Sequence, residues 1–544
     1  MLGTMQDEQL SLATLLRYGS SVHGDRTVST WTGDGVRTMT FRELGRRASR
    51  LAYALTKLGI GVGDRVATYM WNNNEHVVAY LGVPAMGAVL HPLNIRLFPE
   101  QLQYVANHAE DLVVVVDESL VPAFNQHLPH LKTVRHVIVN GDTASLEVPA
   151  EVQIHSWEDL LAAEPEDFDF PILDERSAAA MCYTSGTTGD PKGVVYTHRS
   201  NWLHAMQLIN RDGMGFTGED TVLTIVPLFH ANAWGIPYAA MMNGANVLLP
   251  DRFLQPEHLL RLMDSQKPSY GAAVPTIWSG VLAQLEGKDQ DISHLRTVVV
   301  GGAALSPAMM HTFEEKYGVQ LLHAWGMTET SPLGSVAHPP AGASGDDAWR
   351  YRYTQGRFPA GVQARLVDDD GTILPHDGIA LGELEVRGPW ITGSYYSPAG
   401  NAIDPEKFRD GWLRTGDIGR ISPDGYLTLA DRTKDIIKSG GEWISSVGLE
   451  NAVMGHPSVI EAAVIGIPDP KWDERPLVTV VTAPGAEVTC EELREFLGVQ
   501  FAKWQLPEHW VFVDEVPKTS VGKFDKKRLR ALHAEGSLPV ETLT

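Results

Sequence analysis

The sequence contains very little cysteine, since Cys182 and Cys490 are the only two among 544 residues. Two cysteines are too few for a disulfide framework or a cysteine-rich metal site, and they suit a reducing compartment. Long apolar runs are also missing, because runs such as Leu112–Val116 are far shorter than a membrane span. We therefore expect a protein without an integral membrane segment.

The chain ends carry no targeting pattern. Asp7 and Glu8 stand where a secretory leader would have a basic segment followed by an apolar run. The last residues, VETLT, match neither a peroxisomal nor a prenylation signal. These features lead us to expect an intracellular, cytoplasmic protein.

Positive charge is scarce as well, since 44 lysines and arginines stand against 67 aspartates and glutamates, which gives a net charge of −23. A surface of this sign repels nucleic acid and anionic lipid, so we expect neither as a partner. Any polyanion has to bind through local groups rather than through the overall field of the protein. The length of the chain predicts several hydrophobic cores and more than one domain.

One stretch has the composition of an anion-binding loop. Tyr183–Gly193 reads YTSGTTGDPKG and combines glycines, hydroxyl side chains and a lysine. Glycines let backbone N–H groups turn towards an anion, hydroxyls add neutral donors, and a lysine adds charge. It is not a Walker A loop, because Pro191 stands where that motif has its second glycine. A flexible surface loop is the alternative, but the density of donors favours a polyphosphate-binding loop.

Strand and helix patterns alternate through most of the chain. Thr40–Leu58 has leucines at helical spacing and His76–Leu90 also looks helical, whereas 112–116 and Thr297–Val300 are short apolar strands. This alternation predicts an α/β fold with parallel sheet and helices on its faces. The strand at 297–300 runs directly into glycines, at the edge where α/β sheets bind ligands.

From about residue 356 the pattern changes. Short alternating strands separated by turn signals predict a β-rich subdomain, a distorted barrel, over about 356–430. The charged, glycine-bearing stretch DRTKDIIKSGG at 431–441 suits a domain boundary. We predict a large N-terminal domain of layered α/β subdomains over 1–433 and a small, mobile α+β domain over 434–544.

Five motifs occur in an order that resembles one superfamily. They are YTSGTTGDPKG (183–193), WGMTET (325–330), TGD (415–417), DRTKDIIKSGG (431–441) and PKTSVGK (517–523). On these motifs the chain resembles the adenylate-forming enzymes, which include acyl-CoA synthetases, stand-alone adenylation domains and beetle luciferases. The stretches FHANAW (229–234) and GGEWISS (440–446) look most like bacterial medium- and long-chain fatty acyl-CoA synthetases and methylmercaptopropionate-CoA ligases. The resemblance covers nearly the whole chain.

The resemblance implies a reaction in two steps. A carboxylate attacks the α-phosphate of ATP and expels pyrophosphate, and the thiol of CoA then takes the acyl group from the adenylate. The carboxylate is already ionised at neutral pH, so the first step needs alignment and neutralisation of charge rather than a general base. The resemblance also implies Mg²⁺ as a cofactor, and rotation of the C-terminal domain between the two steps.

The resemblance further assigns residues to these tasks. The implied catalytic residues are Lys523, Lys438, Glu329 and His230. The implied ATP and AMP contacts are Thr184, Ser185, Gly186, Thr187, Thr188, Lys192, Gly302, Ala303, Ala304, Trp325, Gly326, Thr328, Asp417 and Arg432, and Thr184 and Glu329 also match the Mg²⁺ position. The implied hinge is Lys434, and the implied CoA loop comprises Gly440, Gly441, Glu442 and Trp443. The expected walls of the acyl pocket are Trp234, Tyr238, Met242, Gly271, Val274 and Pro332.

Some of these roles have a chemical reason. Lys523 is expected to bridge the acyl carboxylate and the α-phosphate and to stabilise the charge that develops between them. Lys438 matches a residue that serves the second conformation. His230 is assigned an orienting role without proton transfer, because a histidine among apolar residues is more often a satisfied core residue than a catalyst. Trp234 is a candidate gate of the acyl site.

Several residues also have simpler interpretations. Without the motifs, Glu329 would be taken for a solvated carboxylate, Asp417 for a turn residue and Lys434 for a linker lysine. The basic cluster Lys526–Arg530 is expected to be a solvated face rather than part of the site. Only Lys523 follows the glycine of an S-x-G-K pattern in this region.

The leading hypothesis is an ATP-dependent acyl-CoA synthetase for a fatty or other apolar acid. Alternatives within enzymes are a ligase for methylmercaptopropionate or an aromatic acid, transfer of the acyl group to an amine or carrier protein, and a luciferase-like oxidase. A catalytically silent homologue that binds nucleotide is the alternative of another class. The intact Thr184, Glu329, Asp417 and Lys523 argue against silence. A homodimer is expected from the resemblance alone.

Overall fold

The computed structural model describes residues 1, 3–184, 190–288, 290–401, 403–440, 442–519 and 523–543. Within these ranges the strands form three β-sheets, and helices cover their faces. No helix in the described ranges has the length and apolar character needed to cross a membrane.

The strands are numbered here in chain order. They are β1 (Thr27–Trp31), β2 (Val36–Thr40), β3 (Arg65–Tyr69), β4 (Val89–Pro92), β5 (Val113–Asp117), β6 (His136–Asn140), β7 (Gln153–Ser156), β8 (Ala178–Tyr183), β9 (Gly193–Thr197), β10 (Thr221–Thr224), β11 (Asn246–Leu249), β12 (Tyr270–Ala273), β13 (Thr297–Gly301), β14 (Gln320–Gly326), β15 (Leu333–Val336), β16 (Gly356–Arg357), β17 (Gln363–Val367), β18 (Ile373–Leu374), β19 (Gly382–Arg387), β20 (Phe408–Arg409), β21 (Trp412–Ile421), β22 (Tyr426–Arg432), β23 (Ile437–Ser439), β24 (Glu442–Ile444), β25 (Val459–Asp469), β26 (Asp473–Thr482), β27 (His509–Phe512) and β28 (Glu541–Thr542).

The α-helices are numbered in the same way. They are α1 (Leu12–Val22), α2 (Phe41–Lys57), α3 (Asn74–Ala85), α4 (Pro99–Ala109), α5 (Val121–Phe124), α6 (Trp157–Ala162), α7 (His198–Leu208), α8 (Ile236–Asn243), α9 (Pro256–Gln266), α10 (Pro275–Leu285), α11 (Pro307–His311), α12 (Gly345–Arg352), α13 (Ser446–Val453), α14 (Cys490–Leu497) and α15 (Lys526–Ala534).

Seven strands form the first sheet, in the order β7-β6-β5-β3-β4-β8-β9. Its strands are parallel except for the antiparallel pair β8–β9. The apolar run at 112–116 lies at β5, whose residues are all buried because helices cover both faces of a parallel sheet. In the β8–β9 pair Tyr183 lies opposite Gly193, so the two ends of the predicted phosphate loop are held side by side.

The second sheet is the largest and contains 15 of the described strands. Its centre, β11-β10-β12-β13-β14, is parallel. The carboxyl ends of β13 and β14 lie next to each other, with Gly301 opposite Ala324. In open α/β sheets ligands bind at this edge. The predicted α/β class with parallel sheet is confirmed, and solved structures described below have the same fold.

The β-rich segment from residue 356 continues the second sheet and does not form a barrel. From β15 the order runs β16-β22-β21-β19-β17-β18, and no pairing between the described strands closes a ring. The link is the antiparallel pairing of Val336 with Arg357. The predicted distorted barrel over 356–430 is therefore wrong, because strand periodicity does not show which sheet edge a strand joins.

The predicted helix at His76–Leu90 ends earlier than expected. Helix α3 ends at Ala85, and Val89–Pro92 is a strand between β3 and β8. Gly87 reverses the chain with a φ of +96°, a conformation that favours glycine. Because every residue of α3 is buried, no alternation of polar and apolar residues marks the end of this helix.

The third sheet belongs to the C-terminal part of the chain. It has the order β24-β23-β26-β27-β28, with β25 paired to β26. β22, the last strand of the second sheet along the chain, ends at Arg432, and the third sheet begins at Ile437. Helices α13 and α14 pack on it around the fully buried Trp510. Lys434 thus lies between two sheets, and the division into domains at 433 and 434 stays a prediction.

Candidate active site

A cavity of about 360 Å³ lies at the carboxyl ends of β8, β13 and β14. Its wall also includes the end of β22 and residues of the C-terminal part of the chain. The cavity brings together residues from all five motifs, which are far apart in sequence. The predicted site residues that line it are Thr184, Lys192, His230, Trp234, Gly302, Trp325, Gly326, Thr328, Glu329, Pro332, Arg432, Lys434 and Lys523.

Lys523 lies against the end of β13 within this cavity. Gly302 has a φ of +83°, and a Cβ at that position would lie 3.6 Å from Lys523 Cε. Burial and the charge of Arg432 lower the pKa of Lys523 to about 8, and the carboxylates of Asp417 and Glu329 act in the opposite direction. A half-buried cation close to two carboxylates is placed to bind an anion that enters the cavity.

Asp417 is buried and is held from two sides. It pairs with Arg432 across β21 and β22, and Arg432 Nε lies 2.5 Å from Asp417 Oδ1. The indole N–H of Trp325 donates a hydrogen bond to Asp417 Oδ2 at 2.8 Å. Arg432 and Trp325 line the cavity, whereas Asp417 contacts both but does not line it. Each carboxylate oxygen keeps a further lone pair, so the group can still accept hydroxyl donors.

The ring of Trp325 is fixed in position as well. A Cβ at Gly334 would lie 2.3 Å from the indole ring, so the absence of a side chain there lets the ring pack directly against β15. With its N–H bound to Asp417, the indole is held at two points. A fixed aromatic face in the wall of the cavity suits the predicted stacking on adenine.

Glu329 is buried, and one of its oxygens is bound within the protein. The phenol of Tyr395 donates a hydrogen bond to Glu329 Oε1 at 2.7 Å. Burial and the neighbouring charge of Glu329 raise the pKa of Tyr395, so the phenol remains a donor. The hydroxyl of Tyr196 donates to the carbonyl oxygen of Thr328 at 2.8 Å, which anchors the preceding residue. Within the described residues no hydrogen bond engages the second oxygen of Glu329, so this oxygen can accept a further ligand.

Thr184 and Lys192 are hydrogen-bonded to each other on either side of residues 185–189, in the predicted phosphate loop. The backbone N–H of Thr184 donates to Lys192 O at 3.0 Å, and the backbone N–H of Lys192 donates to Thr184 Oγ1 at 3.1 Å. Lys192 Nζ lies 2.7 Å from Asp404 Oδ2 and 4.9 Å from the ring centroid of Tyr395. The predicted contacts Ser185, Gly186, Thr187 and Thr188, together with Gly441, lie outside the described residues.

His230 and Trp234 flank a turn of unusual backbone. The four non-glycine residues Ala231–Trp234 all have positive φ, between 43° and 57°. A left-handed conformation costs L-residues about 1–2 kcal/mol each, and such strain concentrates at functional sites. Inside the turn the side-chain amide of Asn232 donates to Asn201 at 2.7 Å. Trp234 is buried, and its ring would lie 3.5 Å from a Cβ at Gly301.

His230 is neutral in this environment. Burial lowers its pKa to about 3, and the charge of Lys523 contributes. A ring that does not titrate near neutral pH supports an orienting role rather than proton transfer.

The apolar end of the cavity includes residues that the sequence did not reveal. Leu208 and Met214 line it next to Trp234, and so does His204. The backbone N–H of Leu333 donates to His204 Nε2 at 3.2 Å, and burial lowers the pKa of His204 to about 3. This end of the cavity is therefore uncharged. Only the character of their side chains, not any motif, could have pointed to these residues.

Four predicted walls of the acyl pocket do not line the cavity, namely Tyr238, Met242, Gly271 and Val274. Tyr238 is fully buried in the core, and a Cβ at Gly271 would meet Trp278 and Val298 in a separate apolar cluster. Val274 is close to the cavity, since its Cγ1 would lie 3.5 Å from a Cβ at Gly302.

Other predicted residues also lie outside the cavity wall. Ala303 and Ala304 follow Gly302 but do not line the cavity. Lys438, Gly440, Glu442 and Trp443 belong to the β23–β24 hairpin. Lys438 is exposed there, and the backbone N–H of Gly440 donates to Trp472 O at 2.8 Å. The structure therefore places Lys523 inside the cavity and Lys438 outside it.

The basic cluster after Lys523 differs from the solvated face that we expected. Lys526 is largely buried, lies 2.8 Å from the buried Glu450 and donates to Ser446 at 2.6 Å. Arg530 lies 2.7 Å from Asp435, next to the predicted hinge. Lys527 and Arg528 are exposed as predicted. Asp431 accepts a hydrogen bond from the backbone N–H of Ser446, so this cluster joins the end of β22 to the C-terminal part.

Comparisons with known proteins agree with this geometry. The AMP-binding enzyme family matches residues 17–396, and the AMP-binding enzyme C-terminal domain matches residues 448–523. Two solved structures superpose over nearly the whole chain. The anthranilate CoA ligase AuaEII in complex with anthranoyl-AMP has a TM-score of 0.87 at 25% identity and covers 99% of this chain and 100% of its own. ATP-bound MatB from Rhodopseudomonas palustris has a TM-score of 0.82 at 27% identity, with coverage of 96% and 99%.

Three curated relatives are similar along their full length. The 3-methylmercaptopropionyl-CoA ligase of Ruegeria lacuscaerulensis is 44% identical over 97% of this chain and 98% of its own. The medium-chain fatty acid–CoA ligase of Ectopseudomonas oleovorans is 41% identical, with 98% of both chains covered. The long-chain fatty acid–CoA ligase of Thermus thermophilus is 44% identical over 97% of this chain and 96% of its own. The chain therefore belongs to the AMP-binding enzyme family of adenylate-forming enzymes, and these relatives within it are CoA ligases.

Proposed function

We propose that this protein is an ATP-dependent acyl-CoA synthetase that activates a monocarboxylic acid with an apolar tail. The observation that carries the proposal is the position of Lys523, which reaches the same cavity as Glu329 and Arg432. A lysine from the C-terminal part of the chain thereby completes a site whose other groups belong to the two larger sheets. Three full-length relatives named as CoA ligases support CoA as the acyl acceptor.

In the first step the carboxylate of the acid attacks the α-phosphorus of ATP, and the bond to pyrophosphate breaks. Lys523 neutralises the charge that develops between the two reacting anions, in a site shielded from water. Asp417 accepts the ribose hydroxyls and Trp325 stacks on the adenine. Thr184 and Lys192 hold the phosphates that leave. For this contact Lys192 exchanges Asp404 for phosphate oxygens.

The residues around Glu329 fit a magnesium ion. Mg²⁺ prefers oxygen ligands and is usually held by one or two protein groups together with substrate phosphates. Glu329 offers one oxygen, because Tyr395 binds the other, and Thr184 adds a hydroxyl in the same cavity. When bound there, the ion would neutralise phosphate charge during departure of pyrophosphate.

In the second step the thiol of CoA attacks the acyl carbonyl carbon, a C–S bond forms, and AMP leaves. Lys523 has no task in this step, whereas the exposed Lys438 and the β23–β24 hairpin are proposed to replace it. The replacement requires rotation near Lys434, which lies between the second and third sheets. Such a rotation accounts for the positions of the two lysines, since Lys523 lines the cavity and Lys438 does not.

The uncharged acid end favours a tail without a second charge. Leu208, Met214 and Trp234 are apolar, and His204 is neutral. A second carboxylate in that position would be buried without a partner, which is strongly unfavourable. We therefore propose fatty acids and short thioether acids ahead of dicarboxylic acids.

The test is to measure pyrophosphate release and thioester formation for a panel of acids, with and without CoA. The panel runs from butanoate to dodecanoate and adds 3-methylmercaptopropionate, benzoate and succinate. We expect acid-dependent pyrophosphate release, equal amounts of acyl-CoA when CoA is present, and little activity with succinate. Pyrophosphate release without any thioester would point to another acceptor, and ATP binding without release on any acid would identify a silent homologue.

A further inference from the structure

A tight turn between α7 and β10 borders the acid end of the cavity. Helix α7 ends at Leu208, and the chain then reverses so that the backbone N–H of Gly215 donates to Leu208 O at 2.9 Å. Met214, in this turn, and Leu208 both line the cavity. Both are buried in the same apolar cluster as Trp234.

The backbone of this turn is fixed by two other elements. The hydroxyl of Tyr270, on β12, donates to the carbonyl oxygen of Met214. The Nε2–H of His338, which follows β15, donates to Gly213 O at 2.8 Å. Moving the turn would break both bonds, so the depth of the acid end depends on the side chain at 214 rather than on a shift of the backbone.

A second cavity borders the same turn. It has a volume of about 300 Å³ and is lined by Asp212, Val336, His338, Arg357 and residues 358–360. Asp212 and Met214 are two positions apart in one turn but border different cavities. The turn that carries Met214 therefore borders a second cavity as well as the acid site.

We propose that Met214 sets the longest acid that the enzyme accepts. The inference rests on the proposed function and names the group that determines its specificity. Methionine is long and unbranched, so it fills the end of an apolar site that a shorter side chain would leave open. Each methylene of an acid that enters such space contributes about a fourfold gain in binding, whereas a methylene that meets the side chain is excluded.

The experiment compares acid preference among size variants at this position. In Met214→Ala we expect the acid with the highest kcat/KM to be longer than for the wild type, with a gain of about fourfold for each methylene that newly fits. In Met214→Phe we expect a shift to shorter acids, since the larger ring occupies more of the same end. The two variants change the cavity in opposite directions, so a general loss of activity cannot imitate both shifts.

The matched control is Met310→Ala. Met310 is also buried, but it belongs to the separate apolar cluster on β12 and β13 that includes Trp278. We expect this variant to lose stability and to keep the acid preference of the wild type. Met214→Val replaces Met214→Ala if the alanine variant does not fold.

The outcomes separate this inference from the proposed function. If the wild type releases no pyrophosphate with any acid, the proposed function is wrong. If the wild type is active and the size variants at 214 keep its preferred acid, or if Met310→Ala shifts that preference equally, the assignment of Met214 is overturned. Opposite shifts in the small and large variants alone would establish it.

Discussion

The phenol of Tyr395 donates a hydrogen bond to Glu329 across 66 positions of sequence, at 2.7 Å and with both side chains buried. The ammonium of Lys192 lies 4.9 Å from the centroid of the same ring. One tyrosine thus contacts both the carboxylate proposed for Mg²⁺ and the lysine proposed for the leaving phosphates. It positions two parts of the site that come from different sheets.

Replacing Tyr395 by phenylalanine should weaken the binding of Mg²⁺ at Glu329. Loss of a hydrogen-bond partner behind a metal ligand typically reduces metal affinity about 10–100-fold. We expect Tyr395→Phe to require at least about tenfold more Mg²⁺ for half-maximal pyrophosphate release. In calorimetry, we expect its affinity for ATP in the presence of Mg²⁺ to fall by a similar factor. Tyr396→Phe is the control, and equal Mg²⁺ requirements in both variants would contradict the assignment.

Trp325→Phe tests the bond between the indole and Asp417. The variant keeps an aromatic ring but loses the N–H that binds Asp417 Oδ2. A hydrogen bond to a charged acceptor contributes about 1.5–3 kcal/mol, so we expect KM for ATP to rise by about tenfold or more. KM for the acid should change much less. Equal increases in both values would show that the indole has no specific part in nucleotide binding.

The lowered pKa of Lys523 predicts a decline of adenylation at high pH. The ammonium is charged below its pKa of about 8 and loses its proton as the pH rises through that value. Since kcat/KM reports groups of the free enzyme, we expect kcat/KM for ATP to fall about tenfold per pH unit above pH ~8. His230, with a pKa of about 3, should add no inflection near neutral pH. A flat profile up to the range of an ordinary lysine would refute the prediction, provided that the protein stays folded.

Lys526 is predicted to stabilise the C-terminal part through Glu450. Removing one partner of a buried ion pair leaves an unpaired charge and typically costs about 3–5 kcal/mol of unfolding free energy. We expect a loss of this size for Lys526→Met in denaturant unfolding, and partial recovery in Lys526→Met/Glu450→Gln. Lys527→Met, at an exposed position, should be nearly neutral. A loss as large in the Lys527 variant would contradict this account.

Local patterns predicted many of the elements. The strand predicted at Thr297–Val300 is β13 (Thr297–Gly301), and helix α2 begins after Thr40, whose hydroxyl accepts from the backbone N–H of Glu43 at 3.1 Å. These features depend on neighbouring residues, so the sequence carries their signal. The pairing of β15 with β16 was not predicted, because it joins residues 20 or more positions apart through backbone bonds that no side-chain pattern specifies.

The residues of the candidate site likewise fall into those that the sequence predicted and those that it did not. Thr184, Glu329, Lys523 and other nucleotide-site residues belong to motifs and were predicted from the resemblance, and the cavity brings these three together. Tyr395 and Met214 belong to no motif, and their importance follows only from partners distant in sequence, such as Glu329 and Tyr270. The residues proposed for the nucleotide could therefore be predicted from the sequence, whereas those proposed for the acid end come from the folded structure.

The central claim is that one cavity serves two half-reactions and that Lys523 acts only in the first. The most direct test supplies preformed acyl-adenylate to Lys523→Ala and measures transfer of the acyl group to CoA in a single turnover. We expect transfer close to the wild-type rate, while the same variant releases almost no pyrophosphate from ATP and acid, and Lys438→Ala is expected to show the reverse. Equal loss of both half-reactions in Lys523→Ala would contradict the account.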